Sequence, residues 1–161
     1  MMRTIFVGLL GVIVGILIQF RFMMVVLKNK DRRIGKLKTY FTIFDQWMFL
    51  KQHNISVGDY LLSKGIKTIG IYGMGIMGMH AFDELKNTCI VKFGMDQADK
   101  NINGLIMLSF KDKIPYVDAL IVTPGTELEK ICNNLHEKTS AQILVWGDVI
   151  KACYEEKNES N

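Results

Sequence analysis

The sequence predicts an α/β fold, and three observations carry that expectation. Short apolar runs alternate with helix-like segments through the last two thirds of the chain, the pattern of a parallel sheet covered on both faces. Between the first such run and its following helix, Gly73-Met74-Gly75-Ile76-Met77-Gly78 completes a GxGxxG pattern, and Asp96 ends the next apolar run 18 residues beyond the last glycine. Near the start, Thr4 to Phe20 gives seventeen residues without a charge. Strand, glycines, helix, strand and acid in this order form a dinucleotide-binding fingerprint. The expected architecture is a single Rossmann-like domain with about five mostly parallel strands, preceded by one N-terminal transmembrane helix and an amphipathic connector helix. The expected boundaries are 1–30 for the anchor, 31–55 for the connector, 56–153 for the nucleotide-binding domain and 154–161 for a polar tail.

The anchor is read from length and charge. Seventeen helical residues span roughly 25 Å, a little short of a hydrocarbon core of about 30 Å. Phe22 to Leu27 supplies the missing length if Arg21 snorkels its guanidinium toward the headgroups. Gly11 and Gly15 form a GxxxG match that suits helix–helix contact, although glycine is also common in membrane helices at large. No small-x-small cleavage site follows, which favours an uncleaved anchor over a signal peptide. Lys28, Lys30, Arg32, Arg33, Lys36 and Lys38 fall within eleven residues. By the positive-inside rule they put the N-terminus outside and the globular domain in the cytoplasm of a single-pass membrane protein.

In the connector, Leu37, Tyr40, Phe41, Phe44, Trp47 and Met48 recur at helical spacing and predict one large apolar stripe. The stripe does not name its cover, which is the membrane interface, a partner helix or the domain's own sheet. His53-Asn54-Ile55-Ser56 then breaks the pattern, with Ser56 as N-cap of a helix over Val57 to Lys64 and Gly65 as its stop. Strands are expected at Thr68–Tyr72, Ile90–Met95, Leu105–Leu108, Ala119–Thr123 and Gln142–Trp146. Helices are expected at Ile76–Lys86, Thr126–Lys138 and around Asp148–Cys153, and the link from Asp96 to Leu105 reads as a loop.

Each glycine has its own expected task. Gly73 permits a tight turn, Gly75 lets the backbone approach a pyrophosphate, and Gly78 lets the helix pack closely on its strand. The helix N-terminus, with Met74, Ile76 and Met77 around it, offers unpaired N–H groups and partial positive charge. Asp96 suits hydrogen bonds from ribose hydroxyls. Ligands of such sheets sit at the carboxyl ends of the strands, which adds Thr123, Pro124 and Gly125 to the candidate binding set. The alternative is a Rossmann-like fold whose glycines serve only turn and packing, with Thr126 as an ordinary N-cap.

Composition narrows the class further. The net charge of +4 is concentrated in the basic cluster after the anchor, so no basic stripe interleaved with aromatics marks a nucleic-acid partner. Cys89, Cys132 and Cys153 are odd in number and widely spaced, which suits a reducing compartment and offers no metal-ligand spacing. No catalytic constellation is found. Tyr60 and Lys64 have the Tyr-xxx-Lys spacing of short-chain dehydrogenases but lie ahead of the glycines, and His53, His80 and His136 are isolated, with His80 close enough to the glycines to touch a ligand.

The runs Ile69 to Gly78, Phe93 to Asp96 and Val117 to Thr123 resemble the Rossmann-like nucleotide-binding domains of bacterial surface-polysaccharide biosynthesis proteins. Those domains occur N-terminal to nucleotide-sugar dehydratases and acetyltransferases, or stand alone beside glycosyltransferases. The resemblance covers about residues 60–150. It implies NAD, a nucleotide-sugar or another nucleotide derivative bound at Gly73, Gly75, Gly78 and Asp96. The expected function is a membrane-anchored cytoplasmic nucleotide-binding module that regulates or scaffolds envelope polysaccharide synthesis. Its expected partners are the lipid bilayer, a nucleotide-type small molecule and a membrane glycosyltransferase or other biosynthetic enzyme. Two alternatives stand beside it: an NAD-dependent or nucleotide-sugar-modifying enzyme completed by a partner or a homodimer, and a ligand-free Rossmann scaffold.

Overall fold

A computed structural model describes residues 2–97, 101–123, 125 and 127–159, with side chains before Gly15 and at 29, 31–33 and 36 excepted. Its contacts divide the chain into two units, Met1–Thr42 and Ile43–Asn161. The element order is α1 (Met2–Gln52), α2 (Val57–Ser63), β1 (Thr68–Tyr72), α3 (Ile76–Leu85), β2 (Ile90–Met95), β3 (Met107–Leu108), β4 (Ala119–Val122), α4 (Leu128–His136), β5 (Gln142–Val145) and α5 (Trp146–Asn158).

Anchor and connector are not separate helices, because α1 runs unbroken through both. Among the described residues no helix is long and apolar enough to cross a membrane. From Gly15 onward only six residues precede Arg21, and residues 4–14 of the uncharged run lie outside the described side chains. The transmembrane expectation therefore finds no support in the described part of α1.

The amphipathic stripe is rotated from its expected position. Ile43, Trp47 and Leu50 are buried, whereas Leu37, Phe41, Phe44 and Met48 stay exposed. Only Trp47 belongs to both sets. Ile43 recurs to Trp47 and Leu50 at four and seven residues, the same helical spacing seen from the other side. The rings of Trp47 and Trp146 meet edge-on at 5.1 Å, and Phe49 meets Tyr154 at 5.0 Å. The helix end is also tied by an ion pair from Lys51 to the buried Glu84 carboxylate, which accepts from the Val57 amide as well.

The sheet is wholly parallel, in the order β3-β2-β1-β4-β5. β1 and β2 have their expected bounds, and β4 and β5 each end one residue early. β3 keeps only Met107 and Leu108 because Ile102 pairs instead with Leu105 across a turn in which Gly104 has φ +80°. Ser56 caps α2 as expected, its hydroxyl oxygen accepting from the Asp59 amide at 3.1 Å. Gly65 closes that helix at φ +83°.

The ends of the later helices differ more. α4 starts at Leu128, after Glu127 in the left-handed region, and the expected cap Thr126 lies outside the described residues. α5 already begins at Trp146 and continues to Asn158, so Trp146 is a buried helix residue and Asp148 sits in the first turn. Strand starts β1 and β4 are stitched together at Asp118. Its carboxylate accepts from the Thr68 and Lys67 amides at 2.7 and 2.9 Å, and the Asp118 amide donates to the Thr68 hydroxyl. One core cluster, with Tyr72, Phe93, Met95, Leu120, Val122 and Leu135 at its centre, has the α4 residues Leu128, Ile131 and Cys132 packed against it.

Candidate functional site

The strand order places a topological switch between β1 and β4, where the chain moves to one side after β1 and to the other after β4. In open parallel sheets the crevice at such a switch, beyond the carboxyl ends of the strands, is where ligands sit. The glycine loop follows β1 there.

The three glycines differ sharply in what surrounds them. Gly73 has φ +90°, a conformation that side-chain-bearing residues rarely adopt, and its amide donates to the Met95 carbonyl at 2.8 Å before the chain turns. Gly75 is the N-cap of α3 at an ordinary φ of −75°. A Cβ built there meets nothing within 4 Å, so the backbone faces open space at the start of a helix. At Gly78 the same Cβ would lie 2.2 Å from the Gly73 carbonyl oxygen. The helix can approach the loop only because this position has no side chain. Met74 and Met77 are buried beneath the turn, while Ile76 is 79% exposed beside Gly75.

Thr123, at the end of β4, has an internal task. Its hydroxyl lies 2.7 Å from the Gly73 carbonyl and 3.2 Å from that of Tyr72, and its amide donates to Tyr72 at 3.0 Å. One hydroxyl proton is shared between two loop carbonyls, so Thr123 holds the glycine turn in register with β4. Gly125 is exposed, and Pro124 lies outside the described residues.

Asp96 follows β2 and is half-buried. It lines a cleft of about 430 Å³ with Tyr72, Gln97, Phe110, Lys111, Glu127 and Lys130, in which no glycine of the loop takes part. The Tyr72 hydroxyl accepts from the Gln97 amide group at 3.5 Å, and the Tyr72 and Phe110 rings meet edge-on at 6.3 Å. These lining residues were not among the candidates read from sequence. The only signal for them was Tyr72 itself, whose side chain alternates with those of Ile69 and Ile71 along β1 and so belongs to the opposite face of the sheet.

The other singled-out side chains have structural surroundings. His80 packs edge-on against Phe44 and Trp47 at 6.0 and 6.3 Å, which places it against α1. Lys64 pairs with Glu156 at 2.8 Å and stands over the Tyr60 ring, on the surface of α2. Burial pushes the thiols of Cys89, Cys132 and Cys153 up, away from the reactive thiolate form. Tested against a dinucleotide or nucleotide-sugar, the loop fits in one concrete respect: it offers the start of a helix with space where the Gly75 side chain is missing.

Comparison with known proteins adds the following. No family model matches the chain, and no curated protein does. Among solved structures, an NADPH-dependent glyoxylate/hydroxypyruvate reductase from Sinorhizobium meliloti, in apo form, is similar at 18% identity with a TM-score of 0.35. The likeness covers 56% of this chain and 40% of the reductase, so the chain spans well under half of that protein's length.

Proposed function

We propose that this Rossmann-like chain binds a nucleotide derivative, NAD or a nucleotide-sugar, at its glycine loop, and that it serves as a binding module. The observation that supports this most is the division of labour at Gly73, Gly75 and Gly78: a left-handed turn, an open helix start and a close helix–strand approach. A pyrophosphate at the start of α3 would accept from its first amides and gain from the helix dipole. The Asp96 carboxylate would take ribose hydroxyls from its cleft.

The proposal extends to place and partner. The uncharged run Thr4 to Phe20 and the basic cluster from Lys28 to Lys38 support an N-terminal anchor with the domain on the cytoplasmic side. The sequence resemblance supports a role beside an enzyme of surface-polysaccharide synthesis, as regulator or scaffold.

Native mass spectrometry of the full chain in lipid nanodiscs, offered NAD, UDP-glucose and coenzyme A in turn, tests the binding. A retained ligand that Gly75→Leu abolishes is the expected result. A folded wild-type chain that retains none of the three overturns the nucleotide reading in favour of a ligand-free scaffold. Carbonate extraction of membranes tests the anchor separately, and release of the chain into the supernatant would remove that part.

A further inference from the structure

We propose that Asn103 is a site of spontaneous covalent modification, deamidation through a succinimide, whose product loosens the edge strand β3. This does not rest on ligand binding at the glycine loop. Of the 14 glycines only Gly104 follows an asparagine, and none follows an aspartate. Asn103 and Gly104 form the tip of a turn in which the Leu105 amide donates to the Ile102 carbonyl at 3.1 Å, with Gly104 at φ +80°. Both residues are exposed. A Cβ at Gly104 would meet nothing within 4 Å, and the Gly104 amide makes no hydrogen bond among the described residues. The other asparagines are worse placed. Asn29, Asn133, Asn134 and Asn158 lie in helices, and Asn54, Asn87 and Asn101 precede Ile55, Thr88 and Ile102, whose β-branched side chains crowd the following nitrogen.

The chemistry needs what this turn supplies. The nucleophile is the deprotonated backbone nitrogen of Gly104, and the electrophile is the side-chain Cγ of Asn103. A glycine leaves that nitrogen unshielded and lets the backbone rotate into the attacking geometry. Attack closes the N–Cγ bond of a succinimide, and the side-chain amide departs as ammonia. Water then adds to one ring carbonyl. Cleavage at the main-chain carbonyl gives isoaspartate, and cleavage at Cγ gives aspartate. Water is the sole co-reactant, and nothing is oxidised or reduced. Isoaspartate adds a methylene to the main chain and a carboxylate to the turn. The turn leads directly into Leu105, which is buried with its side chain filling the space beside Gly94, and into Ile106, whose carbonyl accepts from the Gly94 amide at 2.8 Å. β3 has only two residues with which to hold its place on β2. A longer turn therefore releases Leu105 and weakens the β2–β3 ladder, and Ser109 and Phe110 just beyond it line the Asp96 cleft.

The test holds the full chain, in lipid nanodiscs, in mildly alkaline buffer and follows the tryptic peptide 101–111 by mass spectrometry with fragmentation. Asn103 is expected to convert to isoaspartate and aspartate, faster as pH rises, while the other asparagines keep their amides. The native chain should react at close to the rate of the same peptide made synthetically. A native rate about tenfold or more below that of the peptide, ~1.4 kcal/mol of added barrier, means that the fold shields the site and overturns the proposal. Faster amide loss at any other asparagine overturns it as well. Asn103→Gln, an exposed change, should abolish the reaction on the same timescale. Hydrogen exchange at the Gly94 amide should rise in the isoaspartate fraction of the wild type and stay constant in equally aged Asn103→Gln. Unchanged exchange in the isoaspartate fraction would refute the effect on β3.

Discussion

Gly75 and Gly78 lie three residues apart and should respond to substitution in opposite ways. A side chain at Gly78 collides with the backbone of Gly73, which cannot swing aside, so Gly78→Ala is expected to cost about 1–3 kcal/mol of stability. At Gly75 φ is ordinary and the space is open. Gly75→Leu should therefore fold, losing only about 1 kcal/mol at the helix cap, and yet lose any nucleotide. Urea denaturation of both variants, with ligand retention on the second, separates a glycine kept for packing from one kept for access. The turn at Gly73 and the close approach at Gly78 were legible in the GxGxxG spacing. The role of Thr123 was not. Its hydroxyl is turned inward by a loop carbonyl 50 positions away in sequence, and nothing in Thr-Pro-Gly-Thr distinguishes an inward hydroxyl from one offered to a ligand.

Among the elements, β1 and β2 were readable to the residue because each is a short apolar run closed by a glycine or an acid. The connector was harder. Helical periodicity shows that residues 37 to 50 are amphipathic, but they carry two overlapping apolar faces, and bulk alone does not tell which one is buried. Ile43, Trp47 and Leu50 are buried, with Trp146 of α5 and His80 of α3 against Trp47, while Phe44 and Met48 are left outside. Trp47 should be the costliest residue of that helix end. Trp47→Ala is expected to lose about 3–5 kcal/mol. Trp47→Phe should lose much less, since the buried indole N–H has no acceptor among the described residues and its removal leaves nothing unpaired. Chemical denaturation of the pair measures the difference. At the starts of β1 and β4, Asp118 ties two strands through its carboxylate, and the amides of Thr68 and then Lys67 hold its pKa below the ordinary carboxylate value. Its stabilisation is therefore complete above about pH 4, the unfolded value, and disappears as pH falls through the lower folded value. Asp118→Asn should lower the urea midpoint at pH 6 and converge with the wild type in strong acid.

For the whole molecule, the class and the parallel sheet follow from the alternation of runs, whereas the strand order and its switch between β1 and β4 depend on which strands pair, which alternation does not specify. Length and charge could not show that α1 continues through its basic cluster without a break, because neither lysine nor arginine stops a helix. The thiols give a global test of packing. Cys89 and Cys153 are buried and held protonated, while Cys132 is only part-buried. A disulfide reagent at neutral pH should label Cys132 first, and the other two only at the rate of unfolding. Trp47 and Trp146, the pair that joins the end of α1 to the start of α5, also set an order of events in the living cell. About a hundred residues separate them, and ribosomes add roughly 5–20 residues per second. For something like 5 to 20 seconds after Trp47 is made, its future cover has not yet been translated. During that interval the indole and its neighbours Ile43 and Leu50 are open to a chaperone, a bilayer or another nascent chain, and α5 must win them back.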